Sequence, residues 1–136
     1  MGAWSHEPFG NDTACDWAYG LDEAEDLSYV EAALDNVLAE PDEYLDADAA
    51  AEAVAALEVL AKLLGHGTQS DTYTEEVDAW VARIGLTPEP VLRDKALQAL
   101  QRIVGDNSEL PELWADSADD DAWRAGMASL RDALAA

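Results

Sequence analysis

Apolar and polar positions along this chain recur with the period of an α-helix. The clearest case is residues 46–64, where alanine and leucine dominate. At about 100° per residue, Val54, Leu57 and Leu60 fill one side of a helix and the polar residues keep to a narrow stripe. A helix with so little polar surface must be covered by neighbours on several sides, and alanine lets them approach closely. The pattern predicts a central helix around which the other segments pack.

The polar stripe of this central helix is predicted to face water. It contains Asp48, Glu52, Glu58 and Lys62, with Val59 as an apolar exception inside it. Asp46 is positioned to cap the first turn, and Gly65 is positioned to end the helix in the left-handed conformation.

Two helices are predicted before the central one. Asn11 or Asp12 offers an N-cap for a short first helix. Ser28, with Glu31 three residues later, forms a capping box for a second helix. The apolar residues at helical spacing are Ala14, Trp17, Ala18 and Leu21 in the first, and Val30, Ala33, Leu34, Val37 and Leu38 in the second.

Three helices are predicted after the central one. Thr72 and Glu75 form a second capping box, Thr87 followed by Pro88 starts the next helix, and Ser117 caps the last. Their predicted core positions are Tyr73, Val77, Trp80, Val81 and Ile84; Leu92, Ala96, Leu100 and Ile103; and Trp123, Met127, Leu130 and Leu134.

The segments between the helices are short. Residues 65–71 contain two glycines and are predicted to form a flexible loop, and residues 110–114 an apolar connector. No stretch shows the alternation that is typical of a strand. The sequence therefore predicts an all-α fold: a single domain over residues 1–136, built as an irregular bundle of about six helices around a central Ala/Leu-rich helix.

Residues 1–10 are predicted to form an irregular N-terminal arm that packs on the core. Gly2, Pro8 and Gly10 disfavour a regular helix there. Trp4 and Phe9 are large and apolar, and burying each ring contributes roughly 2–3 kcal/mol. Both rings are therefore expected to be buried.

Charge changes the picture of the surface. The chain has 30 acidic and 7 basic residues, a net charge of -23, and its first basic residue is Lys62. Such a field repels nucleic acid and anionic membranes and attracts basic proteins. The predicted partner-binding residues are Asp22, Glu23, Glu25, Asp26, Glu31, Asp35, Glu40, Asp42 and Glu43.

Candidate chemistry is sparse. There is no phosphate-binding glycine loop, no zinc protease motif and no nucleophile elbow, so no cofactor is predicted and a non-enzymatic function is favoured over an enzyme. His6, Asp12 and Asp16 offer carboxylate and imidazole ligands for a metal. The favoured interpretation is that Asp12 caps a helix while Asp16 and His6 are solvated. Cys15, the single cysteine, is predicted to be a small buried hydrophobe.

The N-terminus resembles that of a known family. Its members begin Met-Gly-Ala-Trp, continue to a Phe, and then read Asn-Asp-x-Ala-x-Asp-Trp. The matching residues here are Met1, Gly2, Ala3, Trp4, Phe9, Asn11, Asp12, Ala14, Asp16 and Trp17. On this motif the chain resembles the uncharacterised, mainly bacterial family called domain of unknown function 4259, although Ser5 and Glu7 stand where the family usually has glycines. The resemblance implies family membership and no activity.

Three functions stay open on the sequence alone. The first is an acidic interaction module that binds a basic protein, as nuclease inhibitors, immunity proteins and nucleic-acid mimics do. The second is a metal-binding protein or enzyme that uses His6, Asp12 and Asp16. The third is a structural domain whose charge serves solubility. Without an apolar leader or a run of membrane length, a cytoplasmic location is expected. The oligomeric state is not predicted.

Overall fold

The alanine-rich segment forms the helix on which all the others pack. The computed structural model describes residues 4–136. Their helices are α1 Asp12–Leu21, α2 Ser28–Leu38, α3 Ala47–Leu63, α4 Glu75–Ile84, α5 Pro90–Val104, α6 Glu109–Ala115 and α7 Asp120–Ala135, with a 3₁₀ turn at Thr72–Thr74. Helix α3 contacts each of the other six α-helices. The predicted all-α, single-domain bundle around a central helix is confirmed.

The composition of α3 explains its central position. Eleven of its seventeen residues are buried, including the unbroken run 53–61. Asp46 accepts a hydrogen bond from the N–H of Ala49 at 2.9 Å. Gly65 follows the helix at a φ of +83°, where a residue without a Cβ is favoured. The predicted start and end of the central helix are therefore confirmed.

The predicted polar stripe of α3 is only half correct. Asp48 is exposed and Glu52 is partly exposed, whereas Glu58 and Val59 are both 0% exposed. The side chain of Lys62 keeps only 7% of its surface accessible. The prediction that Glu58 and Lys62 face water was wrong because residues 68 and 69, beyond the helix end, bind Glu58.

The helix starts also differ from the predicted capping boxes. The N–H and hydroxyl of Ser28 both donate to the carboxylate of Asp26, so Ser28 does not cap α2. At the 3₁₀ turn, Asp71 accepts from the N–H of Tyr73, while the hydroxyl of Thr74 accepts from the N–H of Asp71. Asp71 thus takes the capping role predicted for Thr72, whereas α2 begins without a side-chain cap and Asp26 binds Ser28 instead.

Other boundaries shift by a few residues. Helix α5 begins at Pro90 rather than at Pro88, and the predicted connector at residues 110–114 lies within α6, so the structure has one α-helix more than expected. Helix α7 begins at Asp120, while the Ser117 hydroxyl accepts from the N–H of Asp119 at 3.0 Å instead of capping the helix.

The two exposed rings near the N-terminal arm correct two core predictions. Phe9 is 0% exposed, but Trp4 is 46% and Tyr73 is 55% exposed. Their ring centroids lie 5.2 Å apart, so the two rings pack on each other at the surface. The predicted core residues of α7, by contrast, are all buried: Trp123, Met127, Leu130 and Leu134.

The observed cap gives a direct test of the fold. Asp71→Ala removes the acceptor for the N–H of Tyr73, and such a loss costs about 1 kcal/mol of unfolding free energy. Thr72→Ala, at the adjacent exposed position, is the matched control and should change it by less than about 0.5 kcal/mol. Urea unfolding of both variants measures the difference in unfolding free energy. A larger loss for Thr72→Ala than for Asp71→Ala would support the capping box predicted at Thr72.

Candidate functional site: two acidic connectors flanking α2

One polar cluster lies inside the bundle. The Glu58 carboxylate accepts hydrogen bonds from the N–H of Thr68 (2.8 Å), from the hydroxyl of Thr68 (2.7 Å) and from the N–H of Gln69 (2.8 Å). The ammonium group of Lys62 lies 3.6 Å from Glu58 and 2.7 Å from Asp78. We call Glu58, Lys62, Thr68, Gln69 and Asp78 the Glu58 cluster.

The Glu58 cluster holds four parts of the chain together: α3, the loop after it, α4 and the segment before α1. Lys62 also donates to the backbone carbonyl of Gln69. The side-chain carbonyl of Gln69 in turn accepts from the N–H of Phe9 at 2.8 Å, which attaches the segment before α1. Gln69 is only 3% exposed. The loop predicted to be flexible is therefore bound to α3 at its second half.

The cluster combines acidic, basic and hydroxyl side chains, as active sites do, but within the described chain it has no buried polar group left free to bind a substrate. Across residues 4–136, the one buried side-chain nitrogen or oxygen without a hydrogen-bond partner is Nε of Arg102, outside the cluster. A catalytic group must be free to reach a substrate in a pocket. The Glu58 cluster is therefore interpreted as structural. Its sequence signal was Glu58 itself, the only polar residue within the apolar run 53–61.

The first acidic connector joins α1 to α2 and is held through its backbone. We define it by its carboxylates: Asp22, Glu23, Glu25 and Asp26, all on exposed residues. The indole N–H of Trp80 donates to the carbonyl of Ala24 at 3.0 Å. The guanidinium of Arg83 donates to the carbonyl of Asp22 at 3.0 Å. Helix α4 thus fixes the path of this connector.

The second acidic connector joins α2 to α3 and is held in the same way. Its carboxylates belong to Glu40, Asp42 and Glu43, all exposed. Arg102 donates to the carbonyl of Glu43. Leu45 exchanges backbone hydrogen bonds with Asn107 (3.0 Å) and Glu109 (2.8 Å), which fixes the end of this connector to the start of α6.

Helix α2 separates the two connectors by about 16 Å, because its 11 residues each rise about 1.5 Å. Glu31 and Asp35 on this helix were also predicted to bind a partner. Both pair with Lys95 of α5, Asp35 at 2.8 Å, and these hydrogen bonds raise the pKa of the Lys95 ammonium group. With Asp22, which lies 3.8 Å from Arg83, three of the nine predicted carboxylates therefore already have a cation within the chain.

All seven cationic side chains have partners within the described chain, and several partners are backbone carbonyls. Arg93 donates to the carbonyl of Leu134, as Arg83 and Arg102 do to the connectors. The ion pairs within 4.0 Å involve seven carboxylates, which leaves twenty-three of the thirty without a cation between residues 4 and 136.

The alternative metal site has no geometric support. No group of three or more His, Cys, Asp or Glu side chains within residues 4–136 is arranged to hold a metal ion, so His6, Asp12 and Asp16 do not converge. Asn11, not Asp12, caps α1, by accepting from the N–H of Ala14 at 2.8 Å. Cys15 is half-buried, and its burial, reinforced by nearby aspartates, raises the pKa of the thiol.

The fold and this surface define a strongly acidic, all-α protein with a single helical domain. No helix in the described part of the chain is long and apolar enough to cross a membrane. The chain belongs to the family described as Domain of unknown function (DUF4259), whose model matches residues 2–126. This match confirms the family resemblance and extends it over nearly the whole chain. No curated protein and no solved structure matches the chain.

Removing the central carboxylate should destabilise the fold strongly. Glu58→Ala leaves the buried N–H of Gln69 and the partly buried N–H of Thr68 without an acceptor, and a broken buried ionic network costs about 3–5 kcal/mol. Glu52→Ala, on the same helix but partly exposed, is the control and should change the unfolding free energy by less than about 1 kcal/mol. Urea unfolding compares them, and equal effects would contradict the structural role of the cluster.

The pH dependence of stability gives a second test. Burial, with Asp48 and Asp46 nearby, raises the pKa of Glu52. The folded state then holds the proton more tightly than the unfolded state, so ionised Glu52 opposes folding at neutral pH and the cost disappears on acidification. Glu52→Gln should raise the melting temperature at about pH 7, and the gain should fade towards about pH 4, where Glu52 is protonated.

The control for this pH series is Glu23→Gln, which removes the same charge from an exposed connector. Thermal unfolding of both variants from pH 7 to pH 4 separates the local effect from relief of the overall negative charge. If the melting temperatures of the two variants depended on pH in the same way, burial of Glu52 would not be the cause of the effect.

Proposed function

We propose that the protein is a non-enzymatic interaction module that binds a basic protein through its two acidic connectors. Such a module would act as an inhibitor, an immunity protein or a nucleic-acid mimic. One observation carries it: the arginines that touch the connectors bind their backbone carbonyls, at Asp22 and Glu43, and leave most of the carboxylates unpaired.

Backbone attachment prepares the connectors for binding. A loop that is already held in one path loses less conformational entropy when a partner docks. Trp80 and Arg83 hold the first connector, and Arg102 and Asn107 hold the second. The carboxylates then act as fixed negative charges on either side of α2, without competition from internal cations except at Asp22, where Arg83 lies 3.8 Å away.

The field of the whole protein supports the same kind of partner. A net charge of -23 accelerates encounter with a cationic surface and opposes encounter with nucleic acid or anionic lipid. The partner is therefore a basic protein rather than a nucleic acid or a membrane. Glu31 and Asp35 belong to this proposal only as a secondary part, because they already pair with Lys95.

The competing explanation is that the charge serves only solubility. In that case all exposed carboxylates are equivalent, and neutralising four in the first connector should matter no more than neutralising four elsewhere. The interaction module, by contrast, requires that position matters. This difference defines the experiment.

The test compares two variants with the same net charge. The first changes Asp22, Glu23, Glu25 and Asp26 to Asn or Gln. The control changes Asp94, Asp106, Asp116 and Asp121 to Asn; these four are exposed, lack an ion pair and lie outside both connectors. A partner captured from native lysate is purified, and its Kd is measured at about 0.1 and 0.5 M salt.

The expected result is a weakening of about tenfold or more for the connector variant and about threefold or less for the control at low salt. Higher salt should weaken the binding of the unmodified protein. A partner that is acidic, or binding that ignores salt and treats both variants alike, would overturn the proposal and leave solubility as the explanation of the charge.

A further inference from the structure

A cavity of about 330 Å³ lies away from α2, between the segment before α1, helices α1, α3 and α6, and the turn before α7. Its apolar lining includes Ala47 and Ala51 of α3 and Leu110 and Leu113 of α6. A volume of this order suits a small ligand that is bound by a few polar groups above an apolar floor. The proposed function makes no use of this cavity.

Two tryptophans from separate elements line the cavity. Trp4 lies before α1, and its backbone N–H donates to the carbonyl of Gly10 at 2.8 Å. Trp114 belongs to α6. Trp4 is 46% exposed, although its burial would have stabilised the fold. An indole that is held by its backbone and left accessible is available to a ligand. Indole rings are also the strongest aromatic partners for organic cations.

The charged residues of the cavity have one sign. Asp48 and Asp119 line it, and among residues 4–136 no lysine, arginine or histidine does. The hydroxyl of Thr13 donates to one oxygen of Asp48 at 3.2 Å. The carboxylate of Asp119 makes no capping hydrogen bond to α7. An anion would meet two carboxylates here without a counter-charge, whereas a cation would be attracted.

We propose that this cavity binds a small organic cation of the alkylated ammonium class. The two indoles would face its methyl groups, Asp48 and Asp119 would balance its charge, and the alanine and leucine floor would exclude water. A bare metal ion fits less well, because hard cations require several converging oxygen ligands, and the described residues present no such group.

The probe that separates charge from shape is choline, compared with its neutral carbon isostere 3,3-dimethyl-1-butanol. Calorimetric titration of each into the full chain measures affinity, and the indole N–H signals of Trp4 and Trp114 in nuclear magnetic resonance spectra locate the site. We expect saturable choline binding that shifts these two signals, and binding of the isostere that is weaker by about tenfold.

Variants then test the residues. Trp4→Ala should weaken choline binding by about fivefold, Trp4→Phe by less, and Asp119→Asn by about threefold. Asp94→Asn on α5 removes the same charge outside the cavity and should leave the affinity unchanged. Trp4→Ala loses the contact with the Tyr73 ring and should lower the melting temperature modestly, and Trp4→Phe should lower it less; both melting temperatures are measured alongside.

Several outcomes would overturn this inference. They are equal binding of the isostere, equal effects of Asp119→Asn and Asp94→Asn, chemical shift changes confined to other tryptophans, and no saturation at tens of millimolar choline. The connector variant with Asp22, Glu23, Glu25 and Asp26 neutralised should still bind choline, because none of these residues lines the cavity. Failure of the cation site and failure of the interaction module are therefore distinguishable.

Discussion

The structure depends on one buried carboxylate. Glu58 lies on the central helix, where taking a charge out of water is costly unless hydrogen bonds replace the water. The replacement comes from the chain beyond the helix, through Thr68 and Gln69. Gln69 then binds the N–H of Phe9, so satisfying one carboxylate also positions the segment before α1. The loop at residues 65–71, which contains two glycines, is therefore held in place by the Glu58 carboxylate that it covers.

The few cationic side chains of the chain also attach one segment to another. With seven of them against thirty carboxylates, neutralising the acidic surface from within is impossible. Instead, Arg83 and Arg102 tie connectors through backbone carbonyls, and Lys95 joins α2 to α5. A guanidinium presents several donors and therefore crosslinks two segments effectively. The stability gained this way leaves most of the carboxylates exposed and charged.

Periodicity was sufficient for six of the seven α-helices in the described chain, and insufficient for α6 and for the site. A step of about 100° per residue gives the angle of a side chain around its helix but not what lies over it farther along the axis. Asp48 and Glu58 share one arc, yet only Asp48 reaches water. Ser28 does not cap α2, because its hydroxyl donates to the Asp26 carboxylate two residues upstream, as short polar side chains often bind nearby groups of their own segment. The acidic connectors could be recognised from composition, whereas the pairing of Glu31 and Asp35 with Lys95 depends on how α2 and α5 pack.

The magnitude of the charge bears on why it is there. A net charge of about 2–8 keeps a small domain soluble, and this chain carries -23. Charge beyond that range destabilises a compact state through self-repulsion, so it is a cost unless something else uses it. A basic partner would use it, because each contact with a cationic group relieves repulsion that the isolated protein must bear. The connectors are suited to that exchange, because their backbones are anchored by Trp80 and Arg102. Apart from Asp22, which pairs with Arg83, and Asp26, which binds Ser28, their carboxylates make no contact within residues 4–136 that holds the fold and are available to a second molecule.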